Sequence, residues 1–197
     1  MHSQKYRQAH STLQYVMHHP RFQFLPEVVQ ELWRIFQAYM HFLVKIGQVD
    51  LSEEEIEKSY SKFRLGRFLN NTPTFSKDRR GVNIPILVVH ILFMILENRH
   101  DEAIDRMEAI ERYCSRYLVK GSTFRNNCFI KMLLTIPKSA FNRIKTEREV
   151  QKYRVRLDEN PLNVTNQAHE IEIIPYEELW DLTVELLDNN TFYDPTR

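Results

Sequence analysis

A chain of 197 residues (23.8 kDa) with 43% hydrophobic and 27% charged residues can bury a sizeable core, which excludes a disordered or fibrous protein. Four glycines and eight prolines supply few tight turns, arguing against an all-β sandwich and a glycine-rich phosphate loop, so an all-α fold is expected. The net charge of +1 hides an asymmetry: residues 112–156 carry twelve Lys or Arg against two Asp or Glu, and residues 157–197 one Arg against ten Asp or Glu.

The first twenty residues hold scattered apolar positions and no apolar segment of signal-peptide length, so no cleaved export signal is expected. The reading is a single helical domain over 1–197 with a loosely ordered start, about residues 1–24. From Pro26 to Ile46, Val29, Leu32, Trp33, Phe36, Met40, Leu43 and Val44 recur mostly at steps of three and four, which predicts an amphipathic helix stopping at Gly47. Ser52 with Glu55 three residues on is a capping-box signature for a second helix through about Leu69, antiparallel to the first. Asn70 to Val82, with Pro73, Gly81 and the run Lys77 to Arg80, reads as a solvated loop.

Ile84-Pro85 opens an apolar helix to Leu96, interrupted from Ile86 onward only by His90 and well short of the roughly 18 to 20 residues that cross a bilayer. A turn at Asn98 to His100 leads to a helix over Asp101 to Leu118 with Ile104, Met107, Ile110, Tyr113, Cys114 and Tyr117 on one face. Gly121 reads as a stop, followed by helices over Phe124 to Ile136, ended by Pro137, and Phe141 to Leu157. Asn160 to Gln167 reads as loop and Glu170 to Ile174 as a short extended piece. Pro175 opens a last helix whose apolar positions, among them Leu179, Trp180, Val184 and Leu187, imply a wide buried face.

The stretch Asn98-Arg99-His100-Asp101-Glu102-Ala103-Ile104 resembles the turn and second-helix opening of tetratricopeptide repeats, with Ala103 at the small position that lets two helices pack closely. The resemblance covers one hairpin, residues 84–118. On the same register the family's glycine falls on Ile91, its first-helix aromatics on Leu87 and Met94, its second small residue on Ile110 and its closing proline on Ser115. What it implies is a tetratricopeptide-like α-α superhelix or irregular helical layer of the kind that binds proteins, and it transfers no binding residue.

Charge carries the functional reading. Arg143, Lys145, Arg148, Lys152, Arg154 and Arg156 would form a surface for a partner or for phosphates, with Tyr153 available to stack on a base. The competing reading is that the acidic C-terminal segment folds against this basic helix, or that both are solvated faces. His10, His18 and His19 invite a metal, but no Cys or carboxylate completes a set and a surface segment is the simpler reading. His90 is expected as a hydrogen-bonded core histidine, and Glu53, Glu54 and Glu55 as first-turn carboxylates suited to the helix dipole.

Cys114 and Cys128 are expected as packed thiols in a reducing compartment, placing the protein in the cytoplasm. Trp33, Tyr39, Phe63, Phe68, Tyr176 and Trp180 read as core before hot spot. With no Walker loop, dinucleotide fingerprint, nucleophile elbow or zinc-protease helix, no catalytic residue, cofactor or metal is expected. The expected function is a non-enzymatic helical-repeat scaffold that binds a protein or peptide, the second reading is nucleic-acid binding through residues 112–156, and no membrane role is expected.

Overall fold

The computed structural model describes residues 1–60, 66, 83–117, 124–162 and 171–188. All regular structure among them is helical, as the composition implies. Where one domain is expected, the chain divides into two compact units, Met1–Ser76 and Lys77–Arg197.

The first unit contains α1 (Tyr6–Met17), a 3-10 turn (Phe22–Phe24), α2 (Glu27–Lys45) and α3 (Glu53–Tyr60). Helix α1 corrects the expectation of a loosely ordered start. Tyr6, His10 and Leu13, spaced at i, i+4 and i+7, are buried, and packing on α2 stabilises a segment whose overall polarity conceals this stripe. Helix α2 ends where Gly47 adopts φ +76°, with Gly47 N–H donating to the Val44 carbonyl at 3.1 Å and Gln48 N–H to Leu43 at 2.9 Å. That left-handed cap is the reason glycine stands there. The capping box forms as expected: Ser52 N–H donates to Glu55 Oε2 at 2.9 Å, and Glu55 N–H to Ser52 Oγ at 3.3 Å. Ser52's backbone N–H lowers the Glu55 pKa below the usual carboxylate range. Helix α2 packs on α1, and α3 meets α2 through the Tyr60 ring, 4.7 Å from that of His41. The expected continuation to Leu69, the loop to Val82, and Phe63 and Phe68 lie outside the described residues, Gly66 apart.

The second unit contains α4 (Asn83–Leu96), α5 (His100–Tyr117), α6 (Phe124–Leu133), the short α7 (Thr135–Lys138), α8 (Arg143–Asp158) and α9 (Tyr176–Asp188). Residues Asn83 to Ile95 are all buried, so α4 is apolar on every side and forms the core of this unit. It turns back onto α5 at Asn98, which takes φ +58° while Arg99 N–H reaches the Met94 carbonyl at 2.8 Å. Ala103, Met107 and Ile110 face inward. Tyr113, Tyr117 and Gly121 belong to the part of that reading that falls outside the described side chains or residues.

Pro137 does not end a helix. It lies within α7, in a first turn, where the N–H that proline lacks has no intrahelical partner to lose. The expected extended piece over Glu170 to Ile174 forms no strand at 171–174: Glu172, Ile173 and Ile174 are buried at the entry to α9, where Glu172 accepts from Tyr176 N–H at 3.1 Å, and Glu170 lies outside the described residues. Helix α9 packs on α4, α6 and α8, with Tyr176, Trp180, Val184 and Leu187 among its buried side chains. No described helix is long and apolar enough to cross a membrane.

Candidate interaction face

Helix α8 starts at Asn142, whose side-chain oxygen accepts from Lys145 N–H at 2.9 Å. Only Thr146, Val150 and Leu157 on it are buried, so it presents a narrow apolar stripe to the unit and a broad charged surface elsewhere. Two of its arginines turn toward α9. Arg154 contacts both carboxylate oxygens of Asp181, at 2.6 and 3.2 Å, donates to the Glu177 carbonyl at 2.9 Å and lies 3.4 Å from Asp158. Arg143 pairs with Asp188 and lies 3.4 Å from Glu147. Burial alone would lower the Arg154 pKa, but the hydrogen bonds it donates to Asp181 override burial and raise it; Arg143 is raised first by its hydrogen bond to Asp188.

Beneath them, Arg125 of α6 holds the entry to α9. Its guanidinium reaches Glu172 at 2.7 Å, Glu177 at 2.6 Å and the carbonyls of Leu157 and Asn160 at 3.3 and 2.6 Å. Burial opposes its charge, and the bonds to Glu172 and Glu177 outweigh burial, so its pKa rises. The same guanidinium holds Glu177 below the usual carboxylate range against the opposing effect of burial. Part of the acidic C-terminal segment therefore does fold against the basic one, through Arg125, Arg143 and Arg154.

Lys145, Arg148, Lys152 and Arg156 stand apart: all four are exposed and pair with no carboxylate among the described residues. Tyr153, assigned to base stacking in the phosphate reading, is half-buried and engaged by two ammonium groups, Lys152 Nζ 4.9 Å and Lys131 Nζ 5.7 Å from its centroid. The six basic residues predicted from sequence thus separate into a neutralised pair and an open set of four. Arg125 and Lys131 belong to the basic segment 112–156 but not to the six residues singled out on the helix that follows it. Sequence reasoning missed exposed Ile144 (79%) and Val155 (41%), whose spacing of three helical turns was the available signal.

The histidines near the N-terminus make local contacts. Gln14 meets His10 at 3.4 Å, the Gln14 carbonyl meets His18 at 2.9 Å, and His19 Nδ1 accepts from Arg21 N–H at 3.2 Å; no group of three metal-binding residue types forms among the described residues. His90 is fully buried as expected, but among the described residues neither ring nitrogen has a hydrogen-bond partner. Burial, assisted by Arg106, lowers its pKa to about 3. Burial pushes the Cys114 thiol up to about 12 and raises that of Cys128, so both are weak nucleophiles at neutral pH. A scan against protein-family models and searches of curated proteins and solved structures find no match to the chain.

Proposed function

We propose that the protein is a non-enzymatic helical interaction module, tetratricopeptide-like in the α4–α5 hairpin, that binds a protein partner through the outer face of α8. The observation that supports this is the division of α8 into a face whose arginines are satisfied by α9 and a face whose four cations are left to an outside partner. Exposed surface charge is worth little to folding, so the open set contributes chiefly to association rate and partner choice. A cytoplasmic location fits the two unpaired cysteines. Nucleic-acid binding is the weaker reading, since Tyr153 is engaged by lysines and exposed aliphatics share the face.

The test is affinity capture from native lysate, with and without nuclease, using the wild type and the triple variant Arg148→Glu, Lys152→Glu, Arg156→Glu. Proteins retained through nuclease treatment and lost with the variant support the reading. Loss of all retained material on nuclease treatment, or an unchanged set with the variant, overturns it.

A further inference from the structure

We infer that the outer face of α8 receives an acidic amphipathic helix, laid along it in one orientation. This inference rests on the protein-binding reading of that face and names its partner's chemistry. At 3.6 residues per turn, Ile144, Arg148, Gln151 and Val155 fall within about 60° of arc, forming one straight row. Ile144 and Val155 close the row at its two ends, about 16 Å apart along the axis. Both are exposed β-branched aliphatics, at 79% and 41%, on a helix whose own packing uses only Thr146, Val150 and Leu157.

The two flanks of the row differ in charge. Lys145, Lys152 and Arg156 occupy about 40° of arc on one side. Arg143, Glu147, Arg154 and Asp158 border the other, where each cation already has carboxylates around it. A helix with apolar residues at i, i+4, i+7 and i+11 would cover Ile144 and Val155, and a carboxylate row along one edge would meet the three cations. Turned end for end, the partner would bring its carboxylates to Glu147 and Asp158, so charge sets the orientation. A nucleic-acid backbone fits less well: its phosphates would meet the same two carboxylates and gain nothing from the aliphatics.

The experiment measures binding of fluorescent probes to the full chain by anisotropy. The principal probe is a synthetic alanine-based helix with leucines at i, i+4, i+7 and i+11 and glutamates along one flank. The others are a composition-matched shuffled peptide, polyglutamate and single-stranded polyuridine. The expected result is saturable binding of the patterned helix, at least about tenfold tighter than the other three and weakened by salt. Ile144→Ser with Val155→Ser, and separately Lys152→Glu with Arg156→Glu, should each weaken it about tenfold while circular dichroism stays unchanged. Equal or tighter binding of polyglutamate or polyuridine, an unaffected serine variant, or no saturable binding overturns the inference. If nuclease-resistant proteins are still captured through Arg148, Lys152 and Arg156, the protein-binding reading survives that failure.

Discussion

Helices α4 and α8 use the same backbone for opposite ends. Every residue of α4 from Asn83 to Ile95 is buried, and its position follows from apolarity alone, since a helix hydrophobic all round has nowhere to go but the middle of its unit. Helix α8 is charged almost throughout, and apolarity says little about it. Its narrow stripe of Thr146, Val150 and Leu157 faces the unit, and the cations beside that stripe, Arg143 and Arg154, find carboxylates on α9, with Arg125 holding the entry to α9. A buried apolar helix is determined by its own composition, whereas a charged helix is determined by its neighbours.

The largest expected effect breaks the α8 side of that contrast. Arg125→Met leaves buried Glu172 and half-buried Glu177 without their cation and should cost about 3–5 kcal/mol in urea denaturation. Because α9 is then loosened, the Arg154–Asp181 pair should open as well. A loss under about 1 kcal/mol would mean that apolar packing of α9, and not this cluster, holds the two helices together.

Next comes the polar exception inside α4. His90 is held neutral by burial, with its folded pKa near 3 and its ordinary value 6.5. The unfolded chain therefore binds a proton that the folded chain refuses, so stability is full above about pH 6.5 and is lost progressively as pH falls toward 3. Since neither ring nitrogen is hydrogen-bonded among the described residues, His90→Leu should stabilise by about 1–3 kcal/mol at neutral pH and flatten this acid slope. Melting curves at pH 7 and pH 5 that differ equally for the wild type and the leucine variant would refute it.

Two smaller effects sharpen the comparison. Asn142→Ala removes the cap that satisfies Lys145 N–H and should cost about 1 kcal/mol, read as a lower urea midpoint with an unchanged slope. Smallest of all, Lys145→Gln with Arg148→Gln should shift stability by less than about 0.5 kcal/mol, because both side chains are exposed and neither has an ion-pair partner among the described residues. A larger loss would show that these cations belong to the fold and are not reserved for a partner.

The limits of each helix were legible where local chemistry acts alone. Ser52 and Glu55 announce the start of α3, Gly47 the end of α2, and Pro175 the opening of α9, because caps and φ restrictions need only neighbouring residues. Helix α1 was hidden because its buried Tyr6, His10 and Leu13 lie among polar residues and gain their stability from α2. Pro137 misled because a proline marks a first turn as readily as an end. In the candidate site, the six basic residues of α8 were visible as a charge excess, but Arg125 was not singled out, since its partners lie 47 and 52 residues away.

The sequence by itself determined that the chain is helical, that α4 is core and that a basic segment precedes an acidic one, because period, apolar content and charge are properties of single segments. Only the tertiary structure decided which cations are spent on the fold and which remain. Arg143 and Arg154 differ from Lys145 and Arg148 by the side of one helix they occupy, and that side acquires meaning only when α9, anchored through Arg125, comes to lie against it. Ion pairing depends on distances of a few ångströms between segments far apart in the chain, and no local pattern encodes them.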